Sequence, residues 1–218
     1  MQHIIFALAS FLIAAFAFGF GAAKLFRKRK PMYLQLLVCA AGCFALQQMS
    51  RAVNLWCGAE EAVSVGMLGI FGCNFFLLSA NYGTLDRIVD DRSRSEKAGR
   101  GALVAPAVLG LLAAAVFFLW RKRDLFCAFV WLAVLLPALP ASYYNLKHIL
   151  MPVDPFELLR ATRPCNFAAL AFYLVTAAYA VCSAAAGSTV SGGVSVLMSL
   201  AVLALSVCAV KGAERWGI

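Results

Sequence analysis

MQHIIFALASFLIAAFAFGFGAAKLFRKRKP, residues Met1 to Pro31, contains no Asp, Glu, Lys or Arg for 23 residues and then carries five basic side chains. The apolar part is long enough to cross the roughly 30 Å hydrocarbon layer of a bilayer as an α-helix. A secretory signal peptide has its positive charge before the apolar run, whereas here the charge follows it. We therefore predict a transmembrane helix with its N-terminus outside and Lys24–Lys30 in the cytoplasm.

The composition of the whole chain also favours a membrane protein. Of the 218 residues, 63% are hydrophobic and 13% are charged, whereas soluble domains have roughly a quarter charged residues. The net charge of +9 comes from short basic bursts between apolar runs. This distribution indicates charge at a membrane surface rather than a continuous surface for nucleic acid.

Seven apolar segments follow one another, each of about 20 residues, the length that a membrane-spanning helix needs. They are Ile4–Ala23, Met32–Ser50, Ala62–Gly83, Ala102–Trp120, Leu125–Asn145, Cys165–Ala186 and Thr189–Val210. Barrel strands would alternate apolar and polar residues over about 10 positions, and these runs do not. We predict an all-α integral membrane protein, one domain over residues 1–218 with seven transmembrane helices.

The basic residues of the later loops favour the same orientation. With the N-terminus outside and the C-terminus in the cytoplasm, 15 Lys and Arg residues fall on the cytoplasmic side and 4 on the outer side. Basic residues prefer the cytoplasmic side, so this split supports the orientation, although Arg121–Arg123 depart from it. The expected location is a bacterial cytoplasmic (inner) membrane.

An internal repeat would follow from seven crossings, because segments one to three and five to seven then run in the same directions. The arrangement would be three plus one plus three helices, as in parallel-repeat carriers. Similar stretches, RKPMY (Arg29–Tyr33) and TRPCN (Thr162–Asn166), open the second and sixth segments. Coincidence is the alternative, because proline is common at the start of helices.

Residues 152–163 predict a short helix on the cytoplasmic membrane surface. Asp154 suits the N-cap, Pro155 the first helical position and Glu157 a capping box, and Pro164 would end the helix. An ordinary cytoplasmic loop is the alternative.

Polar residues near the outer side form the first candidate site, because such residues are costly in a bilayer and often mark solute pathways. Gln47, Arg51 and Asn54 share one face of the second segment, and Asn74 lies midway through the third. We predict that these four residues bind a small polar or anionic solute, since an arginine can pair with a carboxylate or phosphate.

Two alternatives to this site remain open. Arg51 could extend to the lipid headgroups or pair with Glu60 or Glu61 of the next loop. Asn74 could instead serve as a hydrogen-bonding contact between helices.

A second polar group is expected at the cytoplasmic ends of the third, fifth and sixth segments. We predict a cytoplasmic gate, in which Asp86 pairs with Arg163 or His148 in one state and is released in another. His148 would add sensitivity to pH. Ordinary interfacial residues are the alternative. The predicted gate consists of Asn81, Tyr82, Asp86, Tyr144, Asn145, His148, Arg163 and Asn166.

Small residues recur along one face of the first segment, at Ser10, Ala14, Ala17 and Gly21. Such a stripe allows helices to approach closely. It predicts either an internal packing face or a contact with a membrane partner.

No pattern in the chain indicates an enzyme, a cofactor or a metal site. The eight cysteines lie mostly inside apolar segments without CxxC spacing, and the two histidines, His3 and His148, are predicted on opposite membrane sides. We therefore expect a non-enzymatic membrane protein. It would be a carrier or channel for a small polar solute, or alternatively a non-transporting sensor domain or docking subunit.

Overall fold

The computed structural model describes residues 2–26, 31–58, 66–85, 92–151, 158–185 and 188–215. These residues form nine α-helices and no strand. The helices are α1 (Gln2–Leu25), α2 (Met32–Trp56), α3 (Met67–Leu78), α4 (Arg92–Ala102), α5 (Val104–Arg121), α6 (Leu125–Leu135), α7 (Ala138–Leu150), α8 (Leu158–Ala185) and α9 (Ser188–Arg215). Helix α3 continues as a π-helix over Ser79–Leu85.

Six helical stretches among the described residues are long and apolar enough to cross a membrane. They are α1, α2, the α4–α5 stretch Lys97–Arg121, the α6–α7 stretch Leu125–Leu150, and most of α8 and α9. A seventh apolar helix, Met67–Tyr82, is shorter. The chain is therefore a polytopic α-helical membrane protein, as predicted. The count of seven crossings stays a prediction, because residues 59–65, directly before α3, lie outside the described part.

Most of the helices pack as a ring around a common centre. Helix α1 packs against α2 and α9, α3 packs against α2, α6 and α7, and α8 packs against α7 and α9. Helix α5 lies outside this ring against α6, α7 and α8. This is where a connector between two groups of three would lie, but the repeat and the membrane orientation stay predictions.

The small-residue stripe of α1 is an internal packing face. Ser10, Ala14 and Ala17 are fully buried, and a Cβ added at Gly21 would lie 3.2 Å from the Val38 side chain of α2 and 3.8 Å from Ser206 Oγ of α9. The stripe thus brings α1 close to both neighbours, and a contact of this face with a membrane partner stays a prediction.

The fifth predicted segment is interrupted near its prolines. Asp124 is the N-cap of helix α6, and its carboxylate accepts hydrogen bonds from the Cys127 thiol and the Phe126 amide. These bonds, that from Cys127 first, hold the pKa of Asp124 below its usual value. The helix ends at Leu135, and α7 restarts at Ala138, just after Pro137. Proline lacks an N–H and crowds the preceding turn, which explains the break.

The predicted end of a helix at Pro164 is wrong, because α8 continues through this residue to Ala185. Pro164 removes one hydrogen bond near the helix start, and the long apolar run after it is stable in lipid only as a helix. Within the predicted surface helix, residues 152–157 lie outside the described part, and the described remainder forms the beginning of α8.

Candidate functional site

Side chains of α2 and α8 meet across the centre of the bundle at two successive levels. The pairs are Arg51 with Tyr179 and Phe44 with Phe172. We call the end at which α1 begins and α2 ends the outer end, following the orientation predicted from the basic residues. The Arg51–Tyr179 pair then forms the outer level, and the Phe44–Phe172 pair forms the middle level.

At the outer level, two hydrogen-bond donors lie against the same tyrosine ring. The Arg51 guanidinium carbon is 5.4 Å from the centre of the Tyr179 ring, and the Trp131 ring of α6 is 5.9 Å from it, edge to face. Arg51 Nη1 and Trp131 Nε1 are both buried without a hydrogen-bond partner, as is Gln47 Oε1. We call Gln47, Arg51, Trp131 and Tyr179 the outer cluster.

The other two residues of the predicted outer site are placed differently. Asn54 lies half-buried in the last turns of α2. Asn74 is fully buried, and its Nδ2 donates to the Val134 carbonyl at 2.8 Å, just before the break between α6 and α7. This bond is the interhelical contact that the alternative interpretation predicted. Asn74 Oδ1 has no partner, so a role in binding a solute stays a prediction.

The middle level is closed by two aromatic rings. Phe44 and Phe172 are both fully buried, and their ring centres are 5.4 Å apart in an edge-to-face arrangement. They separate the outer cluster from the polar residues of the cytoplasmic half.

In the cytoplasmic half, four buried side chains from three parts of the chain form one hydrogen-bonded group, which we call the inner network. Asn81 Nδ2 donates to Asn145 Oδ1 at 2.7 Å, and Asn145 Nδ2 donates to the Tyr173 hydroxyl at 3.2 Å. His148 Nδ1 lies 3.1 Å from Asn81 Oδ1. The network joins the π-helix, α7 and α8.

The remaining described residues of the predicted gate make other contacts. The Tyr82 and Tyr144 rings pack together at 5.3 Å, with Tyr82 exposed on the bundle surface. Arg163 donates from Nη2 to the Met151 carbonyl. Asn166 is buried with both amide atoms lacking a partner. Asp86 lies outside the described residues, so its predicted pairing stays a prediction.

Sequence reasoning missed Trp131, Tyr173 and Tyr179 as site residues, because they lie inside long apolar segments, whereas the two tyrosines of the predicted gate lie at segment ends. Two signals could have found two of them. Trp131 lies away from the membrane interfaces where tryptophan is favoured, and its N–H then needs a partner inside the protein. Tyr173 follows Asn166 by seven residues and therefore shares its helix face.

The orphaned polar atoms are unusual, because buried polar groups are nearly always hydrogen-bonded in native proteins. Leaving such a group without a partner costs about 1 to 3 kcal/mol, and more when it is charged. The outer cluster and Asn166 therefore mark two places where a polar ligand would recover hydrogen bonds.

Among the described residues, no group of three His, Cys, Asp or Glu side chains could hold a metal ion. No protein family matches this sequence, and neither a curated protein nor a solved structure shows detectable similarity to the chain.

Proposed function

We propose that this protein is a carrier for a small polar solute in a bacterial cytoplasmic membrane. The observation that carries the proposal is the pattern of buried polar atoms without partners. Among them are atoms of the outer cluster and of Asn166 near the cytoplasmic end, and further such atoms lie on Ser10, Tyr33, Asn74 and Ser206. The Phe44–Phe172 pair lies between the outer cluster and Asn166. Binding groups on both sides of a closed centre suit a carrier that exposes its site to one side at a time.

The mechanism assigns a different role to each level. A solute entering from outside binds at the outer cluster, with Asn74 as a further contact at mid-depth. Phe44 and Phe172 form the barrier, and the inner network closes the cytoplasmic half. Opening toward the cytoplasm requires α8 to move against α7, which exchanges the bond between Asn145 and Tyr173 for bonds to the solute or to water.

Transport in proteoliposomes tests this proposal. A screen for solutes that raise the unfolding temperature of the purified protein identifies the candidates, because a ligand that binds only the folded form stabilises it. The labelled solute should then exchange across the membrane, and Arg51→Ala should abolish exchange. Arg121→Ala is the matched control, since Arg121 also lies at the outer end but packs over the Phe118 ring. Equal flux in wild type and Arg51→Ala would contradict the proposal.

A second candidate is a non-transporting sensor or subunit, which is favoured by the complete burial of Phe44 and Phe172. A sensor needs an outer ligand site but no path through the centre. It would show stabilisation by the ligand, no flux in proteoliposomes, and copurification with a partner protein. Docking through the α1 stripe would require that stripe to leave its contacts with α2 and α9.

A further inference from the structure

We infer that the outer cluster is an oxyanion site that takes the carboxylate of an organic solute, with Trp131 as a second donor beside Arg51. The inference deepens the proposed function and rests on it in one respect: the bound carboxylate would belong to the carried solute. The site itself follows from the chemistry of the side chains and from what surrounds them.

The two buried nitrogens without a partner, Arg51 Nη1 and Trp131 Nε1, can form hydrogen bonds only with an acceptor. Arginine and tryptophan side chains have hydrogen-bond donors and no acceptor, and the guanidinium stays charged at every physiological pH. Trp131 is 2% exposed and Gln47 is 5% exposed, so most solvent is excluded around them. An anion with two oxygens accepts from both donors and also balances the charge of Arg51.

The acidic side chains that the structure describes do not balance this charge. Asp124 is bound to the first turn of α6, and Glu214 lies near the cytoplasmic end of α9. Glu60 and Glu61 lie outside the described residues, so an experiment has to test them as partners of Arg51.

The shape of the cluster favours a flat organic anion. The Trp131 and Tyr179 rings meet at an interplanar angle of 61°, which gives two aromatic walls beside the donors. Planar carboxylates match the fork of a guanidinium better than they match a lysine. A lipid phosphate has the same charge, but a headgroup approaching from the membrane would reach Arg51 and not the buried Trp131.

Binding of benzoate to the full chain in detergent micelles, measured by isothermal titration calorimetry, tests the inference. Benzoate should bind more tightly than acetate, which lacks a ring, and much more tightly than benzamide, its neutral counterpart. Arg51→Gln should weaken benzoate binding by about tenfold to a hundredfold, and Trp131→Phe, which keeps the ring, by about tenfold. Arg121→Gln should leave it unchanged. If Trp131→Phe fails to fold, Arg51→Lys is tested in its place, because lysine keeps the positive charge but lacks the planar pair of donors of the guanidinium.

Three results would overturn the site. The first is the absence of benzoate and acetate binding in the wild type. The second is phosphatidylglycerol binding that depends on Arg51 but not on Trp131, seen by native mass spectrometry, which would assign Arg51 to a headgroup. The third is benzoate binding that appears only in the Glu60→Gln, Glu61→Gln double variant, which would make a loop glutamate the partner of Arg51.

Failure of the site and failure of the carrier are distinguishable. Benzoate binding that needs both donors, without carboxylate flux in proteoliposomes, supports the carboxylate site and contradicts the proposal that the protein is a carrier. Carboxylate flux that is unchanged in Arg51→Gln and Trp131→Phe supports the proposed carrier and contradicts the proposed carboxylate site.

Discussion

Four asparagines are buried among the described residues, and they differ in how completely their amides are bonded. Asn81 and Asn145 bond to each other and to further partners. Asn74 uses its amino group but not its oxygen, and Asn166 uses neither. Because an unbonded buried amide is costly, complete bonding indicates a structural role and missing bonds indicate a place for a ligand. By this criterion, Asn81 and Asn145 have a structural role, and Asn74 and Asn166 are candidates for ligand binding.

The structural role of Asn145 leads to a prediction about stability. Asn145→Leu removes both bonds of this side chain and leaves the Tyr173 hydroxyl buried without its partner. We expect the free energy of unfolding to fall by about 1 to 3 kcal/mol. Reversible unfolding in mixed micelles with increasing denaturing detergent measures the change.

Tyr173→Phe provides the comparison for this variant. It removes the hydroxyl and keeps the ring, so the double variant should lose less than the sum of the two single losses, by about 0.6 kcal/mol for one hydrogen bond within a membrane. Strictly additive losses would mean that the bond between Asn145 and Tyr173 contributes nothing.

The sequence can predict the break between helices α6 and α7, but it cannot predict which group bonds the backbone carbonyls near that break. Pro137 and Pro140 remove backbone donors, so the interruption follows from the sequence alone. Which group then bonds the carbonyls near the break depends on the neighbouring helix. The Asn74 side chain of α3 reaches the Val134 carbonyl across 60 residues of sequence. A freed carbonyl in a membrane has to find such a partner, because no water is present there.

Helices α2 and α3 approach each other closely at Gly69, which gives a prediction for the outer cluster. A Cβ at this position would lie 2.6 Å from Gln47 Cβ and would also collide with the Cys43 carbonyl oxygen. Since both obstacles belong to or adjoin the α2 backbone, Gly69→Ala should push α2 and α3 apart. We expect a loss of about 1 to 3 kcal/mol in unfolding free energy, measured in mixed micelles, and weaker ligand binding through displaced Gln47.

Gly193→Ala is the matched control, because a Cβ at Gly193 in α9 meets no atom within 4 Å. Alanine is favoured over glycine in a helix by about 1 kcal/mol. This variant should therefore be as stable as the wild type or more stable. Equal behaviour of the two variants would show that the close contact at Gly69 does not hold the helices together.

For the whole molecule, hydropathy predicts the helices but not their arrangement. Continuous apolar runs have to be helical in lipid, which is why the long segments and the all-α class were predictable. Nothing in those runs says that α1 lies between α2 and α9 or that α5 lies outside the ring. Those contacts depend on small residues such as Gly21, whose fit becomes visible only when Val38 and Ser206 are placed beside it.

The candidate site was predictable to a similar degree. Counting polar residues by depth grouped Asn81, Asn145 and His148, and the structure brings these three into contact. The same counting missed Trp131 and Tyr179, because both lie inside long apolar segments, whereas the tyrosines that it included, Tyr82 and Tyr144, lie at segment ends. The outer cluster therefore became visible only through unbonded atoms in the folded chain.

The orientation of the whole molecule rests on the basic residues and can be tested on a natural cysteine. Cys57, just after α2, is exposed, while the other seven cysteines are buried or half-buried. If the N-terminus is outside, Cys57 faces the exterior. A membrane-impermeant maleimide should then label the wild type in intact cells, and Cys57→Ser should lose this label. An inverted bundle would be labelled at Cys57 only after the cells are opened. The outer cluster would then face the cytoplasm, and the carboxylate would be bound from inside, because Arg51 lies in the last turns of α2, which ends just before Cys57.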